Sequence, residues 1–324
     1  MTADLQGQGL VGLREIEAAS QRLAGVAVRT PLLPADALSE VVGADVRLKC
    51  ENLQRAGSFK IRGAYNFVSQ IPEERVRNGI ITYSSGNHAQ AVALAAKLKG
   101  VRSVVVMPTT SPAVKREGAK RLGAEVVLEG TTSVERKARA EAIAEAEGLE
   151  MVPPFDHRHI IAGQGTVGLE IAREWEGVDL VLAPIGGGGL ASGVAAAVKR
   201  MIPSARVVGV EPAGAASMRA ALDAGEPTML SHIDTIADGL APVIAGRLTF
   251  EHARELFDDV VTVDDEAIVE ATKLLLHRHK LVVEFSGAAT TAALLSGAVD
   301  HRGGRVAVVI SGGNLDPSLL SRLA

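Results

Sequence analysis

The chain has 324 residues, 47% of them hydrophobic and 22% charged, with 34 Lys and Arg against 38 Asp and Glu for a net charge of −4. At roughly 150 residues per domain this is room for about two domains with real cores, and the composition excludes wholesale disorder. No basic excess is available to neutralise phosphates, so nucleic acid is not an expected partner.

A single cysteine, Cys50, excludes an internal disulfide and fits a reducing compartment. No apolar run reaches the ~20 residues of a membrane helix. Met1–Gly12 lacks a basic stretch followed by an apolar one, so a secretory signal is not expected and a cytoplasmic location is.

In chain order, the pattern predicts strands at Gly79–Tyr83, Ser103–Met107, Glu125–Leu128, Leu180–Ile185, Arg206–Val210 and Arg305–Ile310. Their Val and Ile runs are nearly continuous rather than alternating, as in parallel strands buried on both faces. Helices are predicted at His88–Lys99, closed by Gly100, at Ser133–Glu147, and at Leu190–Arg200, ahead of Pro203. Thr132 and Glu135 have capping-box spacing, and Gly148 is the stop of that helix. Lysines and glutamates between 115 and 147 read as a solvated helix face. Asp264, Asp265 and Glu266 read as a helix start. Strand–helix alternation predicts an α/β fold with helices on both sheet faces. The βα units from Tyr83 to about Pro153 predict a small domain inserted into a larger one.

Ligands in such sheets sit beyond the carboxyl ends of the strands. Three predicted strands end in small, polar or glycine-rich turns: Ser84-Ser85-Gly86-Asn87-His88, Gly186-Gly187-Gly188-Gly189 and Ser311-Gly312-Gly313-Asn314. Four glycines between a strand and a helix let backbone N–H groups approach an anion, so Gly186–Gly189 is a candidate phosphate cradle. The same segment matches G-x-G-x-x-A through Gly186, Gly188 and Ala191, with Glu211 25 residues beyond Gly186 as a ribose-binding acid. A nicotinamide-dependent oxidoreductase is therefore a rival reading, though it leaves the other two turns unused. Ser84–His88 at a helix start is a candidate carboxylate cradle. Lys60, between Phe59 and Ile61, reads alone as a snorkelling surface residue; beside a phosphate cradle it is a candidate Schiff-base lysine. His277 and His279 lack partners at metal-ligand spacing. Glu211 and Glu284 each follow an apolar run.

Taken together, Ser58-Phe59-Lys60-Ile61-Arg62-Gly63-Ala64, Ser84–Gln90, Gly186–Gly189, Ser311–Asn314, Ile161–Thr166 and Ile236–Gly239 resemble the fold-type II pyridoxal-phosphate enzymes. Within that group the match is to serine/threonine dehydratases and serine racemases, over about residues 14–317. The resemblance implies two open, mostly parallel sheets with helices on both faces, as in the tryptophan synthase β fold. A large domain over 1–76 and 157–324 would enclose a small one over 77–156. Ile61-Arg62-Gly63 after the lysine resembles the dehydratase and racemase branch rather than cysteine synthases. The chain ends soon after Asn314, so the short catabolic type without a regulatory domain is expected.

By the same resemblance, pyridoxal 5′-phosphate is the cofactor. Lys60 would carry it and later act as base at Cα, Phe59 would pack on its ring, Gly186, Gly187, Gly188 and Gly189 would hold its phosphate, Asn87 its ring hydroxyl, and Ser311 would face the ring nitrogen. Ser84, Ser85, Gly86, Asn87 and His88 would grip the substrate carboxylate. Ser85 also matches the proton donor of serine racemases. A neutral Ser311 favours elimination over transamination. The implied reaction is β-elimination from L-threonine or L-serine to 2-oxobutanoate or pyruvate and ammonia, with serine racemase or hydroxyaspartate dehydratase as alternatives. Some relatives hold a divalent cation with a Glu, a carbonyl and an Asp; here Glu211 and Ala215 match, but Ser217 stands where the Asp is expected, which leaves an incomplete hard-cation site. Phe285 follows Glu284 where Pro or Gly is usual. A homodimer or homotetramer acting on a small amino acid is implied, with no membrane partner.

Overall fold

The computed structural model describes residues 9–111 and 113–323; the first eight residues of the N-terminal segment discussed above lie outside them. Ten strands are present among the described residues: β1 (Leu32–Pro34), β2 (Asp45–Cys50), β3 (Ile80–Tyr83), β4 (Ser103–Met107), β5 (Glu125–Leu128), β6 (Glu150–Met151), β7 (Leu180–Pro184), β8 (Arg206–Pro212), β9 (Asp259–Val263) and β10 (Arg305–Ile310). The helices begin with α1 (Leu13–Arg22), α2 (Asp36–Val42), α3 (Lys60–Val68), α4 (Glu73–Val76), α5 (Asn87–Lys99), α6 (Ala113–Arg121) and α7 (Ser133–Glu147). They continue with α8 (Arg158–Glu174), α9 (Gly189–Met201), α10 (Ser217–Ala224), α11 (Arg247–Leu256), α12 (Asp265–His277) and α13 (Phe285–Leu295).

Two sheets form. One has six strands in the order β1-β2-β10-β7-β8-β9, parallel except for the edge strand β1; the other has four, β5-β4-β3-β6, all parallel. Every residue of β4 and β7 is buried, as their continuous apolar runs predict. One face of the six-stranded sheet packs on α12 and α13 through Leu182, Val210, Ile268 and Ala289. The other packs on α8 and α9 through Val181, Val207, Val167 and Val194. Helix α3 lies between the sheets: Ile61, Ala64 and Val68 share a core with Ile80, Val92, Val152 and Ile160. The capping box on α7 and the Asp264 cap on α12 form as the sequence predicts.

Four strands, β1, β2, β6 and β9, have no counterpart in the periodicity. β2 is the instructive case, because Arg47 and Lys49 interrupt its apolar run. Lys49 is nevertheless fully buried, its ammonium 2.7 Å from Glu170 and donating to the Thr30 carbonyl at 2.6 Å. Arg62 completes the cluster, pairing with Glu51 at 2.8 Å and Glu170 at 2.6 Å. The solvated-face reading of residues 115–147 fails at Lys115, which is 5% exposed. Its ammonium pairs with Asp238, on a loop of the other sheet's unit, so the charge is buried with a partner rather than solvated.

Candidate active site

Lys60 is the first residue of α3. The approach to it is fixed by β10: Ser58 bridges Gly312, and the Phe59 N–H donates to the Ser311 carbonyl at 3.2 Å. The lysine, its neighbouring ring and Ser311 are thus one unit, although 251 positions separate Lys60 from Ser311 in sequence. Lys60 Nζ donates to the Pro154 carbonyl at 3.0 Å. Burial without a carboxylate partner pushes its pKa down to about 8, which makes the neutral amine accessible near neutral pH.

The Ser84–His88 turn links β3 to α5. Ser84 Oγ accepts from Gly86 N–H at 3.1 Å, and no side chain caps the first turn of α5, so its leading N–H groups stay open. Asn87 is held from both sides: its amide donates to Glu284 at 2.6 Å and accepts from Asn314 at 2.8 Å. His88 points back to the Val152 carbonyl at 3.4 Å, and burial beside Lys60 lowers its pKa to about 3, so the ring is neutral. Glu284 is held up at about 7 by burial, with one carboxylate oxygen unpartnered.

Gly186–Gly189 closes β7 and opens α9. Gly188 has φ 92°, a left-handed backbone that favours glycine, and a Cβ at Gly187 would fall 2.3 Å from the Phe155 ring. Side chains would therefore strain or block this loop. Ser311, at the end of β10, is 4% exposed and its hydroxyl has only a long 3.5 Å contact to the Ser286 carbonyl.

One cavity collects these parts. Phe59, Lys60, Ser84, Ser85, Asn87, His88, the four glycines and Ser311 all line it. Gly86 does not; a Cβ there would meet the Lys115 stem at 2.6 Å. Arg136 also lines the cavity, is buried, and has an unpartnered Nε. The sequence reading did not single it out, since nothing local marks a helical arginine as turned inward. Asp156, Pro154 and Thr249 also escaped notice: Pro154 meets Lys60 through its carbonyl, Thr249 donates its hydroxyl to the Gly187 carbonyl, and the Asp156 carboxylate accepts from the Thr249 N–H.

Glu211 and Ala215 stand apart from this cavity. Both Glu211 oxygens accept backbone N–H groups at the start of α10, from Met218 and Arg219 at 2.8 Å each. Burial raises its pKa to about 7. Ser217 Oγ is buried and without a hydrogen-bond partner. Among the described residues no group of three or more His, Cys, Asp or Glu side chains is gathered as a metal site.

A low-pKa amine, a side-chain-free loop with open N–H groups at a helix start, and a hydroxyl free of strong partners fit pyridoxal phosphate in type and arrangement. Fold and site together define an α/β enzyme of two mostly parallel sheets with a buried lysine in its cavity. The family described as pyridoxal-phosphate dependent enzyme matches residues 24–312, and the chain belongs to it. Its cofactor is pyridoxal phosphate. The chain is 43% identical to the L-threonine ammonia-lyase of Thermotoga maritima, over 97% of its own length and 78% of that protein. It is 41% identical to the catabolic L-threonine dehydratase TdcB of Escherichia coli, over 97% and 96%. The maize serine racemase structure superposes with a TM-score of 0.93 at 38% identity, covering 97% of each chain. The nicotinamide reading falls with this membership, and Glu211, its intended ribose ligand, is fully buried under α10.

Proposed function

We propose that the chain catalyses β-elimination from L-threonine or L-serine, releasing 2-oxobutanoate or pyruvate and ammonia. The observation that carries this reading is the convergence of Lys60, the open start of α5 and a neutral Ser311 on one cavity. The named ammonia-lyases among the relatives support it.

The bound cofactor supplies an electron sink for the substrate's Cα carbanion. Lys60 would hold the cofactor, and its Nζ would be the base that takes the Cα proton; its lowered pKa suits that transfer. N–H groups at the head of α5, with the Ser84 and Ser85 hydroxyls, orient the substrate carboxylate through charge-assisted hydrogen bonds. Gly186–Gly189 would hold the cofactor phosphate, Phe59 would pack on its ring and Asn87 would meet its ring hydroxyl. Ser311, being uncharged, does not drive protonation of the ring nitrogen, which keeps the sink modest and favours loss of the β-hydroxyl. The released enamine tautomerises and hydrolyses to the 2-oxo acid and ammonia.

Racemisation is the second reading, favoured by Ser85 at the cavity wall and by the maize racemase likeness. Its proton donor would be Ser85, on the face opposite Lys60. No cation is assigned to Glu211, whose oxygens are engaged by α10. The four-stranded unit, residues 77–156, is proposed as the small domain, with α3 as the wall it shares with the rest. The protein is proposed to act in the cytoplasm as a homodimer or homotetramer; the one cysteine and the absence of any helix long and apolar enough to cross a membrane, among the described residues, are compatible with that.

The test is an oxo-acid and ammonia assay across D- and L-β-hydroxy amino acids, with L-serine also followed in heavy water. L-Threonine or L-serine should give the highest turnover. D-Serine appearing faster than pyruvate would move the assignment to racemase.

A further inference from the structure

Residues Pro153–Asp156 carry the chain from β6 into α8. Within four positions this connection touches both halves of the cofactor site. The Pro154 carbonyl accepts from Lys60 Nζ. Phe155 packs on the glycine loop, 2.3 Å from where a Cβ at Gly187 would lie and 3.1 Å from one at Gly189. Asp156 caps α11: Oδ1 accepts from Leu248 N–H at 2.9 Å and Thr249 N–H at 3.1 Å, and Oδ2 from Arg247 N–H at 3.0 Å. Thr249, fully buried, donates its hydroxyl to the Gly187 carbonyl at 2.7 Å.

A run of four glycines is the most permissive backbone in the chain, and ordering it carries a high conformational-entropy cost. It has no side chains of its own to hold it, so its conformation must be imposed from outside. The Thr249 contact does so at the carbonyl of one peptide group. In a trans peptide the carbonyl and the following N–H point in opposite directions. Fixing the Gly187 carbonyl toward α11 therefore fixes the Gly188 N–H away from it.

We propose that Asp156, acting through Thr249, is a positioning residue for the glycine loop and sets the grip of Gly188 N–H on the cofactor phosphate. This rests on the reading of Gly186–Gly189 as the phosphate cradle. The same connection holds Lys60 through Pro154, so one short segment aligns the attachment point and the anchor of the cofactor.

The test uses the full-length protein stripped of cofactor and titrated separately with pyridoxal 5′-phosphate and with pyridoxal. Adduct on Lys60 is trapped with borohydride and quantified by mass. The wild type should prefer the phosphorylated form. Thr249→Val should weaken pyridoxal 5′-phosphate binding about tenfold, the worth of one hydrogen bond, and leave pyridoxal binding within about twofold. Thr249→Ser should restore it, and Asp156→Asn should shift the preference in the same direction as Thr249→Val. Urea midpoints of the cofactor-free variants check that each is folded. Unchanged phosphate preference in Thr249→Val, or equal weakening toward both compounds, overturns the proposal while the cradle stands. A wild type without phosphate preference overturns the cradle reading and the proposal together.

Discussion

Lys60 and Glu284 show how burial shifts the titration of single residues at a cost in stability. Lys60 has no anionic partner, so its charged form is penalised in the fold. On the proposed roles of Lys60 as base and attachment point, Lys60→Met should lower elimination by about a thousandfold or more. It should also leave the cofactor-free protein as stable as the wild type or more so at neutral pH. Steady-state rates and thermal melts check both; a large loss of stability would mean that the amine is structural. Glu284 illustrates the pH side. Its folded pKa of about 7 lies above its ordinary 4.5, so its contribution is fully present below 4.5 and is lost as pH rises through 7. Glu284→Gln keeps an acceptor for Asn87 and removes the titration. The unfolding temperature of the variant should therefore rise by a few degrees relative to wild type between pH 5 and 8. A constant difference across that range would contradict the buried, protonated state.

Among the elements, β2, α3 and α8 are joined by charges rather than by apolar packing alone. Arg62 on α3 is 1% exposed and meets Glu51, just after β2, and Glu170 on α8, while Lys49 on β2 meets Glu170 from the other side. These contacts hold the helix that begins with Lys60. Arg62→Leu leaves Glu51 buried without its main partner and should destabilise by about 3–5 kcal/mol in urea unfolding. A loss below about 1 kcal/mol would show that water reaches Glu51 in place of the guanidinium. The cluster also explains why β2 can sit inside the six-stranded sheet despite its charged residues.

For the whole molecule, the active cavity lies between the two sheet units, and an adjoining chamber lined by Ser85, Lys115, Arg136, Asp238 and Glu284 has a volume of 720 Å³. The Lys115–Asp238 pair spans that chamber from α6 to the loop before Leu240. The Lys115 stem also lies under Gly86, so the Lys115–Asp238 pair and the Ser84–His88 turn are in direct contact. Lys115→Met keeps the stem and removes the charge. It should raise KM severalfold with kcat changed by less than about twofold, because the pair acts on assembly of the substrate site and not on proton transfer. A kcat loss at unchanged KM would place Lys115 in the chemistry instead.

The sequence by itself determined the α/β class, the strands at 103–107 and 180–185 and the glycine loop, each from a local signal: a continuous apolar run or four adjacent glycines. The lysine motif was legible only through its resemblance to a family, since Lys60 alone reads as a surface residue. β2 was not legible, because Lys49 becomes compatible with a buried strand only when Glu170 and the Thr30 carbonyl arrive to pair it. The Lys115–Asp238 pair was hidden for the same reason: charge in a sequence reads as solvent until a distant partner removes it from water, and the inward turn of Arg136 was hidden because it depends on tertiary packing alone. Asp156 is a further long-range placement, capping a helix whose Thr249 lies 93 positions away. Only the tertiary structure decided these placements, because the energy of a buried charge or a pinned peptide depends on what packs against it, and chain order does not carry that information.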